Sequence, residues 1–382
     1  MINIMESGKQ RIAEVIACLV IMAAAMMYIM IPELHARAMS ITDYTEIYGD
    51  DNSKDTGSNS DSSSNSKPTV NKETLTDMRG VWVAYCDYRA MGLYNKSQKT
   101  FRKNADKMFA RFKKDKINTV FFHVVAFNDS IYPSEYLGWS KNMFYKGRRP
   151  SYDPLEILIQ TSHKYGISFH AWLNPYRKKI GVVFDPGKTS STNRIVNIVQ
   201  EIIDNYDVDG IHFDDYFYPD GKKFRKVSVK KRKANVNKMV RKVYSAVKNT
   251  NENIIFGISP AGNIEYAESI GCDLETWLSE DGYVDYIIPQ IYWSDKYKFS
   301  GNKKYTKLYT QRLNQWIALN NGDKPMMIGL ALYRAGMKDV SDKNWRKKSN
   351  NIVNQIKLEK QKGCQGFVLF SALYMYNSSG RK

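Results

Sequence analysis

From Met78 onward, short apolar runs alternate with amphipathic stretches. The runs are Arg79–Tyr85, Thr119–Val125, Ile167–Leu173, Gly210–Phe213, Ile254–Ser259, Tyr286–Tyr292, Met326–Leu332 and Gly366–Phe370. Each is rich in β-branched or aromatic residues and has the length of a strand. Helical periodicity fills the gaps. Phe101–Lys114 sets Phe101, Ala105, Met108, Phe109 and Phe112 on one stripe. Pro154–Tyr165 opens behind Asp153, a capping residue followed by proline at the first helical position. Thr192–Tyr206, Lys238–Lys248 and Asn350–Lys362 repeat the pattern. Eight alternations over about 300 residues predict an α/β chain closed into a TIM-type (β/α)8 barrel, residues 78–382. No Gly-rich dinucleotide fingerprint follows the first run, which argues against an open doubly wound sheet.

The chain ahead of the barrel follows another pattern. Lys9 and Arg11 precede an apolar run from Ile12 to Ile31 that could form a helix ~30 Å long. Ala36-Arg-Ala38 then offers a small-x-small cleavage site. Residues 1–38 are therefore expected to be a signal peptide or an uncleaved membrane anchor. Residues 39–77 carry a Ser/Asn/Asp-rich tract with little to bury, as expected of a disordered linker. The cations before the apolar run orient the bulk of the chain outward, so an extracellular or cell-surface place is expected, held to the membrane if the segment stays. Cys86, Cys272 and Cys364 have no metal-like spacing and are expected as buried thiols.

The net charge is +18, with a dense basic run at Lys222–Lys233. No helix-turn-helix, zinc-finger or RNA-binding signature accompanies it, so nucleic acid is not expected as a partner. For an exported chain an anionic cell envelope is the better counterpart.

Candidate chemistry collects where the strands end, the face on which such barrels carry their sites. Gly210-Ile-His-Phe213 runs into Asp214-Asp-Tyr-Phe-Tyr218. A strand buried on both faces is normally apolar, so paired acids at its tip call for a function. Side chains alternate along a strand, which puts His212, Asp214 and Tyr216 on one face and Phe213 and Asp215 on the other. With Phe213 packed outward, Asp214 points into the barrel mouth and Asp215 lies at the rim or binds a neighbouring loop. Asp214 is thus the leading nucleophile or base, and Asp215 or Asp129, after the second strand, the proton donor. Trp172, Tyr176, Tyr292 and Trp293 are candidates to stack on sugar faces. Asn174, Arg177, Gln290, His212 and Tyr216 are candidates to contact hydroxyls. His123, His170 and His212 lie within strands and lack close-spaced ligand partners, so neither a metal nor another cofactor is expected. The reading is an exported glycoside hydrolase with a polysaccharide substrate. The alternative is a non-catalytic glycan-binding protein of the cell envelope on the same barrel.

Several longer motifs sharpen this. Arg79-Gly-Val-Trp82, Tyr132-Pro-Ser134, Tyr152-Asp-Pro-Leu155, His170-Ala-Trp-Leu-Asn-Pro-Tyr-Arg177, Asp209–Pro219, Gly257-Ile-Ser-Pro-Ala-Gly262 and Asp285–Trp293 occur in an order that resembles the glycosyl hydrolase-like 10 family. The resemblance spans roughly Met78 to Tyr376. It implies a TIM-type barrel, bacterial exported or lipid-anchored proteins, and hydrolysis of glycan strands, with peptidoglycan stripped of its peptides as the substrate of the enterobacterial branch. It also implies an acid after the second strand, where Asp129 stands. Two departures are present. Gly138 precedes Trp139-Ser140 where the family usually has proline, and His212 and Tyr216 replace two acids of the chitinase-type pattern, which puts substrate-assisted catalysis in doubt.

Overall fold

The computed structural model describes residues 75–177, 184–219, 221–322, 324–346 and 350–376. The apolar N-terminal run and most of the expected linker lie outside these. Leu75 already packs on the barrel interior and Asn118 Nδ2 donates to the Asp77 carbonyl, so barrel contacts begin just before Met78. Among the described residues no helix is long and apolar enough to cross a membrane.

Eight parallel strands form the barrel: β1 Met78–Val83, β2 Thr119–Val125, β3 Ser168–Leu173, β4 Gly210–Phe213, β5 Ile255–Ile258, β6 Tyr286–Ile287, β7 Ile328–Leu330 and β8 Gly366–Phe370. Consecutive strands pair from β1 to β6, β7 pairs with β8, and β8 pairs with β1. The ring closes between β6 and β7 through bridges Ile287–Met326 and Gln290–Gly329. The principal helices are α1 Gln98–Lys114, α2 Pro154–Lys164, α3 Thr189–Asn205, α4 Val229–Thr250, α5 Leu308–Leu319 and α6 Asn350–Gln361.

Strand parity divides the core into two layers. Trp82, Phe121, Trp172, Tyr286 and Val368 point inward and form a cluster inside the ring. Val81, Val83, Phe122, Phe213 and Phe256 belong to the larger layer between strands and helices. Large inward rings need small neighbours. A Cβ added at Gly257 would sit 2.2 Å from the Tyr286 ring, and one at Gly210 would sit 2.7 Å from the His170 ring.

The predicted α1 stripe is fully buried, and Asp153 caps α2 by accepting from the Leu155 and Glu156 amides. Other boundaries moved. The run Tyr286–Tyr292 yields a two-residue strand plus an isolated bridge at Gln290. Pro289 within it has no N–H to give a ladder. Helix α4 starts at Val229 rather than Lys238, so the basic run supplies its first turn behind the Ser228 cap. Helix α5 was not read from the pattern, because Arg312 sits on its buried face. All three described cysteines are free thiols. Cys272 is buried, but Cys86 and Cys364 are only partly so.

Candidate active site

The tip of β4 opens into a cavity of about 160 Å³ lined by both Asp214 and Asp215. His212 is fully buried and Phe213 joins the outer layer beside Phe256, as parity requires for an inward Asp214. Asp214 is nearly buried, 4% exposed, and accepts the Tyr216 amide at 3.2 Å. Asp215 is half-buried and also reaches the cavity, so it is not confined to the rim.

Aromatic rings wall this space. Trp172, from β3, is backed by His123 in a stack with centroids 3.7 Å apart. Tyr292, Tyr333, Phe370 and Tyr374 form the opposite side, linked ring to ring at about 6 Å. Arg177 brings the positive charge. Its guanidinium lies 4.1 Å from the Phe127 ring centre, 4.5 Å from Tyr216 and 5.0 Å from Tyr85, and it donates to the Tyr85 hydroxyl. Three rings hold the cation by its faces without neutralising it. Among the described residues it has no ion-pair partner, so its charge is available to the two carboxyls.

Burial lifts the Asp214 carboxyl well above the usual range, and the Asp215 charge adds to that. Arg177, the Tyr216 amide and the Trp172 indole N–H oppose the shift. Burial raises Asp215 to about 6, against its own amide and Arg177. Two adjacent carboxyls resist ionising together, and the deeper burial of Asp214 favours its protonated form.

A polar chain lies beneath the cavity floor. The Trp82 indole N–H can only donate, so His212 Nε2, 3.4 Å away, is its acceptor. The His212 proton then sits on Nδ1 and is donated to the Tyr286 hydroxyl at 3.0 Å. Tyr286 in turn donates to His170 Nδ1 at 2.9 Å. Burial depresses both imidazoles, His170 to about 4, so both are neutral. Ser259 Oγ, 3.0 Å from His212 Nε2, extends the chain toward Gln290, whose Nε2 donates to the Ser259 carbonyl at 3.0 Å. That bond fixes the amide orientation and leaves Oε1 as the acceptor Gln290 offers the cavity.

The structure thus gathers Asp214, Asp215, Trp172, Arg177, Tyr216, Gln290, Tyr292 and Trp293 around one space. Four other candidates stand elsewhere. Asp129 lies in a two-residue strand that pairs back on β2, and its carboxylate accepts the Phe127 amide at 3.2 Å. Asn174 directs its amide at the Ala126 carbonyl, and the Tyr176 ring is packed in the outer layer. His212 is one layer below the cavity. Asp87 was read as following the first strand but was not among the catalytic or binding candidates. It lines the cavity, fully buried, accepting from the Ala84 amide at 3.1 Å and from Ser371 Oγ at 3.2 Å. Burial pushes it up to about 7 despite those donors and the Cys86 thiol. Tyr85 and Tyr266 are further lining residues. Among the described residues no cluster of His, Cys, Asp and Glu is arranged to hold a metal ion.

Comparison with known proteins fits this geometry. The model of the family described as glycosyl hydrolase-like 10 matches residues 77–183 and 177–347. The chain belongs to that family. It is 28% identical over 352 residues to glycosyl hydrolase DigH of Escherichia coli K12, covering 73% of this chain and 78% of that protein. It is also 28% identical over 288 residues to glycosyl hydrolase YngK of Bacillus subtilis, covering 59% of this chain and 56% of that one. In fold it is similar to the PgaB (BpsB) glycoside hydrolase domain of Bordetella bronchiseptica, with TM-score 0.55 and 13% identity over 79% of this chain and 96% of that domain. A group IV chitinase of Ostrinia furnacalis gives TM-score 0.53 at 9% identity, covering 77% and 92%. Membership of the glycosyl hydrolase-like 10 family supports glycan hydrolysis in general.

Proposed function

We propose that this protein is an exported glycoside hydrolase that cuts the glycan strands of a cell-wall polysaccharide, peptidoglycan foremost. The convergence of Asp214 and Asp215 on an aromatic-walled cavity at the C-terminal end of β4 carries the reading. Glycosidic cleavage needs one carboxyl that gives a proton to the leaving oxygen and one that is ionised to act as base or nucleophile. The deeper burial of Asp214 supports a reading opposite to the sequence expectation, with Asp214 as the proton donor and the more accessible Asp215 as the carboxylate. Asp129, outside the cavity, is not used. Trp172 and the Tyr292 wall support stacking on the sugar, and Arg177 and the Gln290 oxygen orient hydroxyls. Export rests on the apolar N-terminal run.

The test is mass analysis of products after incubation with intact peptidoglycan, peptidoglycan stripped of its peptides, and chitin. New reducing ends from stripped glycan are expected. Saturable binding to all three with none released would leave a glycan-binding protein instead.

A further inference from the structure

The basic run after β4 divides into two sets in the fold. Arg232 is spent on structure: its guanidinium donates to the carbonyls of Val227, Phe224, Arg225 and Ser269. Lys233 pairs with Glu268 at 2.8 Å and Asp273 at 3.5 Å. Lys223 pairs with Asp185. Lys222, Arg225, Lys226, Lys230 and Lys231 are exposed and have no acidic partner among the described residues. All five fall between the tip of β4 and the first turn of α4, which places them on the face of the barrel that carries the cavity. The connection is short. Arg232 grips the carbonyl of Ser269, the last residue of the helix Ile264–Ser269, and that helix presents Tyr266 to the cavity.

Unpaired like charges repel one another and are tolerated at a site mouth when a counter-charge arrives there. We infer that this rim is a docking surface for a carboxylate-bearing glycan strand, the same strand whose sugar enters the cavity. The inference deepens the hydrolase reading and rests on a glycan being what the cavity takes. The cavity holds the reacting sugar by rings and hydrogen bonds. The rim holds acidic groups on sugars outside it, mainly through point-charge lysines that do not demand one fixed geometry.

The experiment compares a chitin oligosaccharide with its carboxymethylated form, which share a backbone and differ in charge. Binding is measured on the full chain carrying Asp214→Asn, so that turnover plays no part. Joint replacement of Lys222, Arg225, Lys226, Lys230 and Lys231 by Gln is expected to weaken the carboxymethylated ligand at least about tenfold at low salt. Neutral-ligand affinity should stay unchanged, and the difference should shrink as salt rises. A second variant, Lys99→Gln, Arg102→Gln, Lys103→Gln and Lys107→Gln on α1, removes exposed charge elsewhere and should keep both affinities. Equal loss in the two variants, equal loss for both ligands, or tighter rim-dependent binding of poly(glycerol phosphate) or duplex DNA would overturn the proposal. Hydrolysis of the neutral oligosaccharide by the wild type is scored separately. Rim-dependent binding without any hydrolysis would remove the hydrolase reading alone, and hydrolysis with no rim dependence would remove the docking surface alone.

Discussion

Asp87 offers a quantitative check on the electrostatics around the cavity. Its carboxyl is raised from 3.8 to about 7 because burial outweighs the donors around it. A folded-state value above the unfolded one means that the native protein binds the proton more tightly. The resulting stability is fully present below about pH 4 and is lost as pH rises through about 7. Between pH 5 and pH 8 this single group should remove roughly 3 kcal/mol, at about 1.4 kcal/mol for each pH unit crossed below 7. Asp87→Asn deletes the titration while keeping the shape. The amide oxygen can accept from the Ala84 N–H, and the amide nitrogen can donate to Ser371 Oγ, which rotates to accept. Any misfit against the remaining donors appears as a constant offset between variant and wild type. The assay is urea denaturation at pH 5 and pH 8. The variant should gain on the wild type by roughly 3 kcal/mol between those pH values, whatever its offset. Parallel pH profiles would show that Asp87 is already ionised at pH 5, and the buried-acid argument would fail with it.

Two further outcomes follow from the same geometry. Tyr286→Phe deprives His212 Nδ1 of its acceptor and His170 Nδ1 of its donor, both fully buried. At about 1–3 kcal/mol for each orphaned group, a loss of about 2–5 kcal/mol is expected in urea denaturation at pH 7; under 1 kcal/mol would mean that the hydroxyl does not bridge the rings. The kcat/KM profile should fall tenfold per pH unit below about 6, where Asp215 takes up its proton, with the basic limb set by Asp214 at higher pH. A profile flat from pH 4 to 6 would exclude Asp215 as the ionised partner.

Much of the fold was legible because a barrel strand is a short apolar run whatever its neighbours are. Strand β4 lies where its run does, Gly210–Phe213. Parity along it also placed Asp214, the residue directly after the strand. It failed further past a strand end. Asn174 and Tyr176 follow β3 at inward-facing spacing, yet the chain turns there: the Asn174 amide bonds Val125 and the Tyr176 amide bonds Tyr216. The place of Asp87 in the site was hidden for a different reason. The residue lies in a turn beyond β1, and its partner Ser371 is 284 residues away, brought near only when β8 closes on β1. The proposed role exchange between Asp214 and Asp215 was also out of reach, because it rests on how deeply each carboxyl is buried in the fold.

The central claim is that Asp214 gives its proton to the leaving sugar. The direct measurement is reducing-end release from stripped peptidoglycan by purified wild-type and Asp214→Asn proteins at matched concentration. The asparagine cannot donate an acidic proton, so the rate should fall by about 10²–10⁴ with glycan binding retained. An Asp214→Asn protein that releases ends at the wild-type rate would contradict the account.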